Sequence, residues 1–166
     1  MTALIAGVVL WTLLEYVFHR FVFHSRVLGQ AAAREHVEHH ARVNWFAPWR
    51  SKMLPAVAVL GGAAVVAGVF VGVVDGVVFA LGTTVAWLGY EALHRDIHLR
   101  APRTAYGRWA RRHHLHHHFQ NARTNFGVST PFWDIAFGTF ARVATVRVPQ
   151  RHAHQFPWLL DVAPRR

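Results

Sequence analysis

Three long apolar runs dominate the chain, and they predict helices that cross a membrane. The first is Thr2–Phe18, the second is Met53–Val74 and the third is Gly76–Leu93. A helix needs about 20 apolar residues to cross a bilayer, so each run is close to the required length. Asp75 and Gly76 form a turn signal between the second and third runs, which predicts a helical hairpin. The expected fold class is therefore all-α and integral to a membrane, with about three transmembrane helices.

A signal peptide is the alternative interpretation of the first run, since the small residues at 31–33 resemble a cleavage site. However, no positively charged region precedes the run. The polar residues His19, Arg20, His24 and Arg26 also lie between the run and those alanines. These features favour a helix that stays in the mature protein.

The positive charges predict which side of the membrane each polar segment occupies. All 18 Lys and Arg residues lie in residues 19–52 and 94–166, and the hairpin turn carries none. Positively charged segments stay on the cytoplasmic side, so the N-terminus and Asp75 are expected outside. A net charge of +10 could indicate a nucleic-acid partner. The charges are separated by long apolar runs, so we expect membrane lipids and no nucleic acid. Because the chain has no cysteine, disulfides and thiolate metal sites are excluded.

The length of 166 residues predicts a single domain over 1–166. Its expected spans are 2–18, 53–74 and 76–93, and its cytoplasmic histidine-bearing segments are 19–52 and 94–140. The second of these segments is expected to form a helical cap, with a helix over 103–119. Residues 125–140 mix aromatic residues with glycine and proline, which predicts a segment that folds back along the membrane surface. Residues 141–166 form a basic tail.

Histidines occur in four clusters, all in the segments predicted to be cytoplasmic. Imidazoles at i, i+3 and i+4 share one helix face, and neutral imidazole leaves one ring nitrogen free for a metal. Ten ligands fit two metal ions with about five each. A nitrogen-rich set favours iron, zinc or copper, of which zinc has no redox chemistry. A surface histidine tract without metal is the alternative. The ten candidate ligands are His19, His24, His36, His39, His40, His94, His98, His114, His117 and His118.

Other residues near these clusters receive weaker or different roles. His19 and His24 would lie about 140° apart on an α-helix, which suits ligands of two different metals. His113 and His116 are expected to point elsewhere on their helix, and His152 and His154 are expected on the surface. Asp96 and Asp134 are weaker candidates as partners of the ligands.

Three carboxylates precede cluster histidines by one helical turn. A metal-bound imidazole usually donates its second N–H to a carboxylate or a carbonyl. The alternative for those at membrane depth is an anchor at the membrane edge or a salt bridge to Arg20 or Arg95. The three expected pairs are Glu15 with His19, Glu35 with His39 and Glu91 with His94.

The chain resembles the fatty acid hydroxylase/sterol desaturase superfamily, and within it the fatty acid 2-hydroxylase branch. The residues that carry the resemblance are EYVFHRFVFH (15–24), HVEHH (36–40), HRDIH (94–98), HHLHHHF (113–119) and NFGVSTPFWDIAFGT (125–139). The resemblance implies a dinuclear centre, nominally iron, on the cytosolic membrane face under a helical cap. It also implies dioxygen-dependent hydroxylation of a lipid acyl chain. Zinc could replace iron in purified protein.

The same resemblance implies a division of the ten ligands between two metals. One metal would take His19, His36, His39, His94 and His114. The other would take His24, His40, His98, His117 and His118.

Two departures from the family pattern affect the expected partners. Members usually have four membrane helices, whereas this sequence matches from the second onward, so a homo-oligomer could supply the missing packing. No fused haem domain or dinucleotide motif is recognised, so electrons are expected from a separate ferredoxin or cytochrome-type donor with its reductase. The arginine-rich face suits an acidic donor, and equally anionic lipid headgroups. Four aromatic residues are expected either to line the acyl entrance or to anchor the interface: Trp45, Phe126, Phe132 and Trp133.

Three other functions are compatible with this sequence. Carotenoid or sterol-type hydroxylases and desaturases share the histidine pattern, although residues 125–139 favour the fatty acid branch. A zinc-binding membrane protein could keep the fold without redox chemistry. A structural lipid-binding protein is disfavoured, because it would not need ordered histidine clusters.

Overall fold

A computed structural model describes residues 1–25 and 29–155, and this part of the chain is helical with connecting loops. The longest helices are three: α1 (Thr2–Val17), α3 (Trp49–Val71) and α4 (Val73–Leu99). α1 continues into a π-helical turn, Phe18–Phe23. The shorter helices are α2 (Gln30–Ala41), α5 (Ala105–Phe119), α6 (Phe132–Ala136) and α7 (Gln150–Gln155).

Three helical stretches are long and apolar enough to cross a membrane: Thr2–Phe23, Trp49–Val71 and Val73–Leu99. Each is longer than, or shifted from, the apolar run that predicts it, because polar residues at the ends continue the helix. The end of the first stretch, the start of the second and the end of the third meet at one end of the helices. The histidines and the shorter helices lie at that end.

α1 and α4 pack closely because small residues face each other at their contact. A Cβ atom added to Gly7 would lie 2.0 Å from the carbonyl oxygen of Phe79, and one added to Gly82 would lie 2.2 Å from that of Leu4. Small residues let membrane helices approach closely, and aromatic residues then fill the space further along. Trp11 of α1 contacts the ring of Trp87 at a centroid distance of 6.3 Å.

The hairpin between α3 and α4 turns at Gly72, three residues before the predicted turn. Gly72 has φ +93°, a conformation that glycine adopts readily and other residues rarely do. Asp75 lies in the first turn of α4, where the helix dipole favours a negative charge. The prediction of a turn at Asp75–Gly76 was therefore wrong. An acidic residue such as Asp75 is favourable in the first turn of a helix as well as in a turn, and here the helix has already begun after Gly72.

A segment of 15 residues, 125–139, returns from α5 and packs against α1. We call it the return segment. Trp133 Nε1 donates a hydrogen bond to Thr12 Oγ1 over 2.9 Å, and the Tyr16 and Thr139 hydroxyls lie 3.0 Å apart. The Tyr16 ring also stacks on Phe137. The segment is therefore folded back, as predicted, and it holds the end of α1 against the helical cap.

The helical cap has its own small apolar core. α5 begins after Thr104, whose hydroxyl accepts a hydrogen bond from Gly107 N over 2.9 Å and so caps the helix. The helix differs from the predicted range 103–119 only at its first two residues. The buried residues of this core are Val43, Ile97, Ala110, Leu115, Val128 and Val146.

Candidate metal centre

The ten predicted histidines form two groups of five, each able to converge on one point. In each group the five ring nitrogens lie within 4.8 Å of one another. Cluster 1 consists of His19, His24, His36, His40 and His117. Cluster 2 consists of His39, His94, His98, His114 and His118.

The two clusters are neighbours, and the helices α2 and α5 each contribute histidines to both of them. His40 of cluster 1 stacks on His118 of cluster 2, with ring centroids 4.0 Å apart and planes inclined by 5°. In each H-x-x-H-H motif the histidines at i and i+4 enter one cluster and the one at i+3 enters the other. α2 gives its i, i+4 pair to cluster 1, and α5 gives its pair to cluster 2.

The division of ligands differs from the one that the family resemblance implies. His39, His94 and His114 lie together in cluster 2, whereas the implied division joins them to His19. The prediction that His19 and His24 bind different metals was also wrong for this geometry. Its 140° angle assumes an α-helix, but these two residues are joined by a π-helical turn.

The π-helical turn brings His19 and His24 onto one face. The backbone N–H of His24 bonds the carbonyl oxygen of His19 over 3.3 Å, five residues back. Residues i and i+5 therefore stack, and the two imidazole centroids are 5.2 Å apart. Such turns are frequent at functional sites. On α4, His94 and His98 achieve the same alignment with an ordinary i, i+4 spacing.

Distances between ring nitrogens fit ligands around a metal ion. In cluster 1, Nε2 of His36 lies 3.1 Å from that of His19, 2.9 Å from that of His24 and 3.0 Å from that of His40. In cluster 2, Nε2 of His94 is 3.0 Å from those of His39 and His114. Two nitrogens that are each about 2.1 Å from one ion, at right angles, lie about 3.0 Å apart.

Hydrogen bonds to carbonyl oxygens leave lone pairs facing the clusters. His19 Nδ1 bonds the carbonyl oxygen of Phe126, and His117 Nδ1 bonds that of Thr124 over 2.8 Å. His39 Nδ1 bonds that of Trp45 over 2.7 Å. A carbonyl only accepts, so each Nδ1 carries the hydrogen and each Nε2 presents a lone pair. Converging lone pairs repel one another unless a cation lies between them.

Partial or complete burial favours the neutral form of four cluster histidines outside the membrane spans: His24, His39, His40 and His117. It lowers the pKa of His24 and His39 to about 4. Burial, with the neighbouring His24 and His39, lowers the pKa of His40 to about 3. Burial, with the neighbouring His19, His40 and His24, holds the pKa of His117 well below its usual range. Neutral imidazole is the form that binds metals, so the donor set is ready for one.

His118 adds a second sign that cluster 2 suits a metal. Both of its ring nitrogens are buried and have no hydrogen-bond partner among the described residues. Buried polar atoms are nearly always paired, because an unpaired one costs free energy. A metal ion in cluster 2 would give one of these nitrogens its partner. The ten residues therefore fit two ions of a nitrogen-preferring metal.

The three carboxylates expected to hold ligand histidines have other partners. Glu15 accepts hydrogen bonds from the backbone N–H groups of Val128 and Ser129 and from the Ser129 hydroxyl. Glu35 accepts one from Ser51 over 3.1 Å. The predicted pairing was wrong for His19 and His39, because loop carbonyls reach their Nδ1 atoms. The sequence pattern counts only helical neighbours and cannot show such loops.

Glu91 forms an ion pair rather than facing a ligand histidine. Lys52 Nζ lies 2.6 and 2.7 Å from its two carboxylate oxygens. The salt-bridge alternative was thus correct in kind, but the cation is Lys52 instead of Arg20 or Arg95. Arg20 donates to the Tyr16 hydroxyl over 2.6 Å, and Arg95 lies over the Phe46 ring at 4.6 Å.

Asp134, considered only a weak candidate, organises the return segment. It is fully buried and accepts hydrogen bonds from the N–H groups of Phe126 and Gly127, both over 2.8 Å, and from the Thr139 hydroxyl over 2.7 Å. These bonds fix the Phe126 carbonyl that orients His19. The Phe126 ring also contacts cluster 1 directly, with its centroid 5.4 Å from that of His117. The sequence signal for this role was that Asp134 lies in a segment rich in glycine, proline and aromatic residues, where a carboxylate can accept hydrogen bonds from backbone N–H groups of the loop.

The remaining histidines lie outside both clusters. His113 stacks between Trp109 and Phe140 and lies 3.4 Å from Asp134 Oδ2, and His116 lies 2.7 Å from Gln120 Oε1. The expected surface position of His152 was wrong, because the residue is 6% exposed and its ring packs on Phe119. The side chain of His154 lies outside the described residues.

An apolar cavity of about 520 Å³ leads from the membrane helices to the clusters. At its polar end it is lined by His36, His39 and His94. Trp45, Phe126, Phe132 and Trp133 are not among the described residues that line this cavity, so their role as entrance residues or interface anchors stays a prediction. Its large apolar lining residues include Trp11, Phe18, Val22, Phe23, Trp87 and Tyr90.

Comparisons with known proteins give similarities over most of the chain. The family model for fatty acid hydroxylases matches residues 4–139. Over 80% of its own length, the chain is 34% identical to fatty acid 2-hydroxylase of Macaca fascicularis. Over 81% of its own length, it is 30% identical to a ceramide very long chain fatty acid hydroxylase of Saccharomyces cerevisiae. It spans 38% and 36% of those two relatives.

A solved structure has the same fold. It is described as full-length Scs7p with only the hydroxylase domain visible. The similarity has a TM-score of 0.69 and 25% identity, covering 85% of this chain and 57% of that one. The residues matched by the family model include all ten histidines of clusters 1 and 2. The chain belongs to the fatty acid hydroxylase family.

Proposed function

We propose that this chain is a membrane-bound, dioxygen-dependent hydroxylase that acts on a lipid acyl chain at the carbon next to the carbonyl. The observation that carries the proposal is the contact between an apolar cavity and two adjacent five-histidine clusters. Relatives named fatty acid 2-hydroxylase and ceramide very long chain fatty acid hydroxylase support the substrate class and the position.

The two clusters are proposed to hold two iron ions. Iron bound there would supply dioxygen activation, in which a C–H bond becomes C–OH with two electrons and two protons and one oxygen leaves as water. The histidine residues contribute a neutral donor set, so the net positive charge stays on the metals. The backbone carbonyls of Phe126, Thr124 and Trp45 fix three of the rings and raise their basicity.

The cavity is proposed to bind the acyl chain and exclude water. Its wall comes from α1, α2, α3 and α4, and its apolar part continues into the membrane-crossing portions of these helices. An acyl chain could therefore enter from the lipid phase with little loss of hydrophobic contact. The histidines at its polar end would then lie beside the first carbons of the chain.

The clusters are proposed to face the cytoplasm, where a separate electron donor would dock. The supporting observation is that all 18 Lys and Arg residues lie in residues 19–52 and 94–166, the two sequence ranges that also contain the histidines. Arg103, Arg108 and Arg123 are exposed there. An acidic ferredoxin or cytochrome-type protein would be attracted to this face.

Lipid mass spectrometry of a host that expresses the chain tests the function. Expression should yield a lipid heavier by one oxygen, and fragmentation should place the hydroxyl on the carbon next to the carbonyl. His117→Ala in cluster 1 and His114→Ala in cluster 2 should each abolish this product. His116→Ala is the matched control, because it lies on the same helix outside both clusters and should leave the product unchanged.

A reductase and donor pair should be supplied in the same host. If the protein then inserts, binds two metal ions and still makes no hydroxylated lipid, the hydroxylase function is wrong. Stoichiometric zinc instead of iron after anaerobic purification would favour a zinc-binding protein that keeps the fold.

A further inference from the structure

A partly buried ion pair lies in the wall of the apolar cavity beside cluster 2. Lys52 lies in the first turns of α3, and its partner Glu91 lies on α4. Their side chains are 20% and 7% exposed. Lys52 is the only lysine in a chain rich in arginine. Both residues line the cavity, so the pair faces the space where an acyl chain would bind.

A purely structural role would be to join α3 to α4. However, α3 and α4 already pack against each other without this pair, with Gly76 of α4 close to the backbone of Gly68 and Ala64 on α3. Taking two charges out of water is costly, and an apolar pair of similar size would join helices at least as well. Charged groups at membrane depth that face a cavity usually mark a binding site.

The pair lies about one helical turn from a histidine of cluster 2. Glu91 precedes His94 by three residues on α4, which corresponds to about 4.5 Å along the helix. His94 is a member of cluster 2 and shares the cavity wall with the pair. A carbonyl oxygen bound at Lys52 would therefore bring the adjacent carbon close to the histidines, and carbons further along the chain would extend into the apolar part.

We propose that Lys52, held by Glu91, binds the carbonyl oxygen at the head of the acyl chain and so determines which carbon is hydroxylated. This inference rests on the proposed hydroxylase function for its consequence, but the contact itself is a property of the cavity. Lys52 is a substrate-binding residue, and Glu91 is a positioning residue that acts through it.

The pairing also predicts which kind of carbonyl is bound. An ammonium has three N–H donors, and two of them are directed at the Glu91 oxygens. One donor remains for a single acceptor oxygen. A free carboxylate would place a second anion beside Glu91, whose charge Lys52 already balances. The site therefore favours the uncharged carbonyl of an amide or ester over that of a free fatty acid.

Binding and product position together test the contact. The purified metal-loaded protein in detergent is titrated with tritiated N-methylhexadecanamide and, separately, with hexadecanoate. Lys52→Met/Glu91→Gln removes the donor without leaving an unpaired buried carboxylate. This double variant should bind the amide about tenfold more weakly, as expected for a lost hydrogen bond from a charged donor. Its hydroxylated products should spread to carbons further along the chain.

Two further variants serve as controls. Arg50→Met removes a positive charge next to Lys52 that is exposed and not part of the cavity wall, so binding and product position should be unchanged. Glu91→Gln alone keeps the Lys52 ammonium but removes the carboxylate that balances its positive charge, so the binding preference should shift from the amide toward hexadecanoate. A structural role for the pair would change thermal stability but would not move the hydroxyl.

The outcomes separate this inference from the hydroxylase function. If the double variant binds the amide as tightly as the wild type and hydroxylates the same carbon, the Lys52 contact is wrong. If the wild type binds hexadecanoate more tightly than the amide, the predicted carbonyl class is wrong. Suppose that the wild type binds the amide but makes no product, and that the double variant no longer binds the amide. The Lys52 contact is then upheld and the hydroxylase function is overturned.

Discussion

Cluster 1 and cluster 2 use the same ligand type and the same sequence motif, yet they differ in exposure. Four of the five histidines of cluster 2 are buried, whereas in cluster 1 only His19 and His117 are buried. His24 is exposed, at the end of the π-helical turn. Cluster 2 takes its ligands from α2, α4 and α5, whereas cluster 1 combines α2 and α5 with the π-helical turn at the C-terminal end of α1. One motif thus builds an enclosed site and an accessible one.

The second difference lies in what holds each cluster in place. Two rings of cluster 1, His19 and His117, are oriented by carbonyl oxygens of the loop that leads into and begins the return segment. Cluster 2 draws two of its ligands from α4, a continuous helix that packs on α1 and α3. Cluster 1 therefore depends on loop structure, and cluster 2 depends mainly on helix packing. This contrast can be tested by mutation.

Removing one ligand from each cluster should have the largest effect. His114→Ala and His24→Ala should each lower hydroxylation more than about 100-fold, beyond the loss usual for residues that only support metal ligands. The unfolding temperature should distinguish them. His114→Ala opens a buried cavity and should cost about 2–4 kcal/mol. His24→Ala removes an exposed ring and should cost less than about 1 kcal/mol.

Thermal unfolding of the metal-free proteins in detergent measures this difference, with His116→Ala as the reference. Equal losses of stability in the two variants would contradict the contrast between an enclosed and an accessible cluster.

Loosening the return segment should affect cluster 1 selectively. Asp134→Asn keeps the shape of the side chain but replaces one acceptor oxygen by a donor, so it cannot accept all the bonds from Phe126, Gly127 and Thr139. The Phe126 carbonyl would then no longer fix His19. We expect a loss of about 10–100-fold in metal affinity at cluster 1 and little change at cluster 2.

Competition with a chromophoric chelator measures the two affinities as separate phases. Asp96→Asn is the matched control, since that carboxylate is on the surface and, within the described part of the chain, its ion pair is with the exposed Arg100. An equal loss of affinity at both clusters would argue that the return segment supports the whole centre.

Tyr16→Phe should have the smallest effect. It removes the hydroxyl that contacts Thr139 and accepts from Arg20, but it keeps the ring that stacks on Phe137. Two hydrogen bonds in a partly buried site predict a loss of about 1–2 kcal/mol of stability. A modest decrease in unfolding temperature, with ligand geometry and activity nearly unchanged, is the expected result. A loss of activity as large as that of Asp134→Asn would show that the α1 contact governs cluster 1.

The helices and the ligand set could be predicted from the sequence because both follow from local patterns. Apolar runs of membrane-spanning length predict the three long helices. The i, i+3, i+4 spacing of His36, His39 and His40 reports a helix face rich in ligands. These patterns act between residues a few positions apart, so they require no knowledge of the rest of the fold.

The division of the ligands, their hydrogen-bond partners and the cavity depend on contacts between distant parts of the chain. A π-helical turn aligns His19 with His24, and no residue pattern in that stretch distinguishes it from an α-helix. Phe126 comes to His19 from 107 positions away, and Lys52 comes to Glu91 from 39 positions away. Helical spacing favours nearby carboxylates as partners, but loop carbonyls are closer once the helices pack. These choices arise from packing in three dimensions, where distance along the chain no longer measures distance in space.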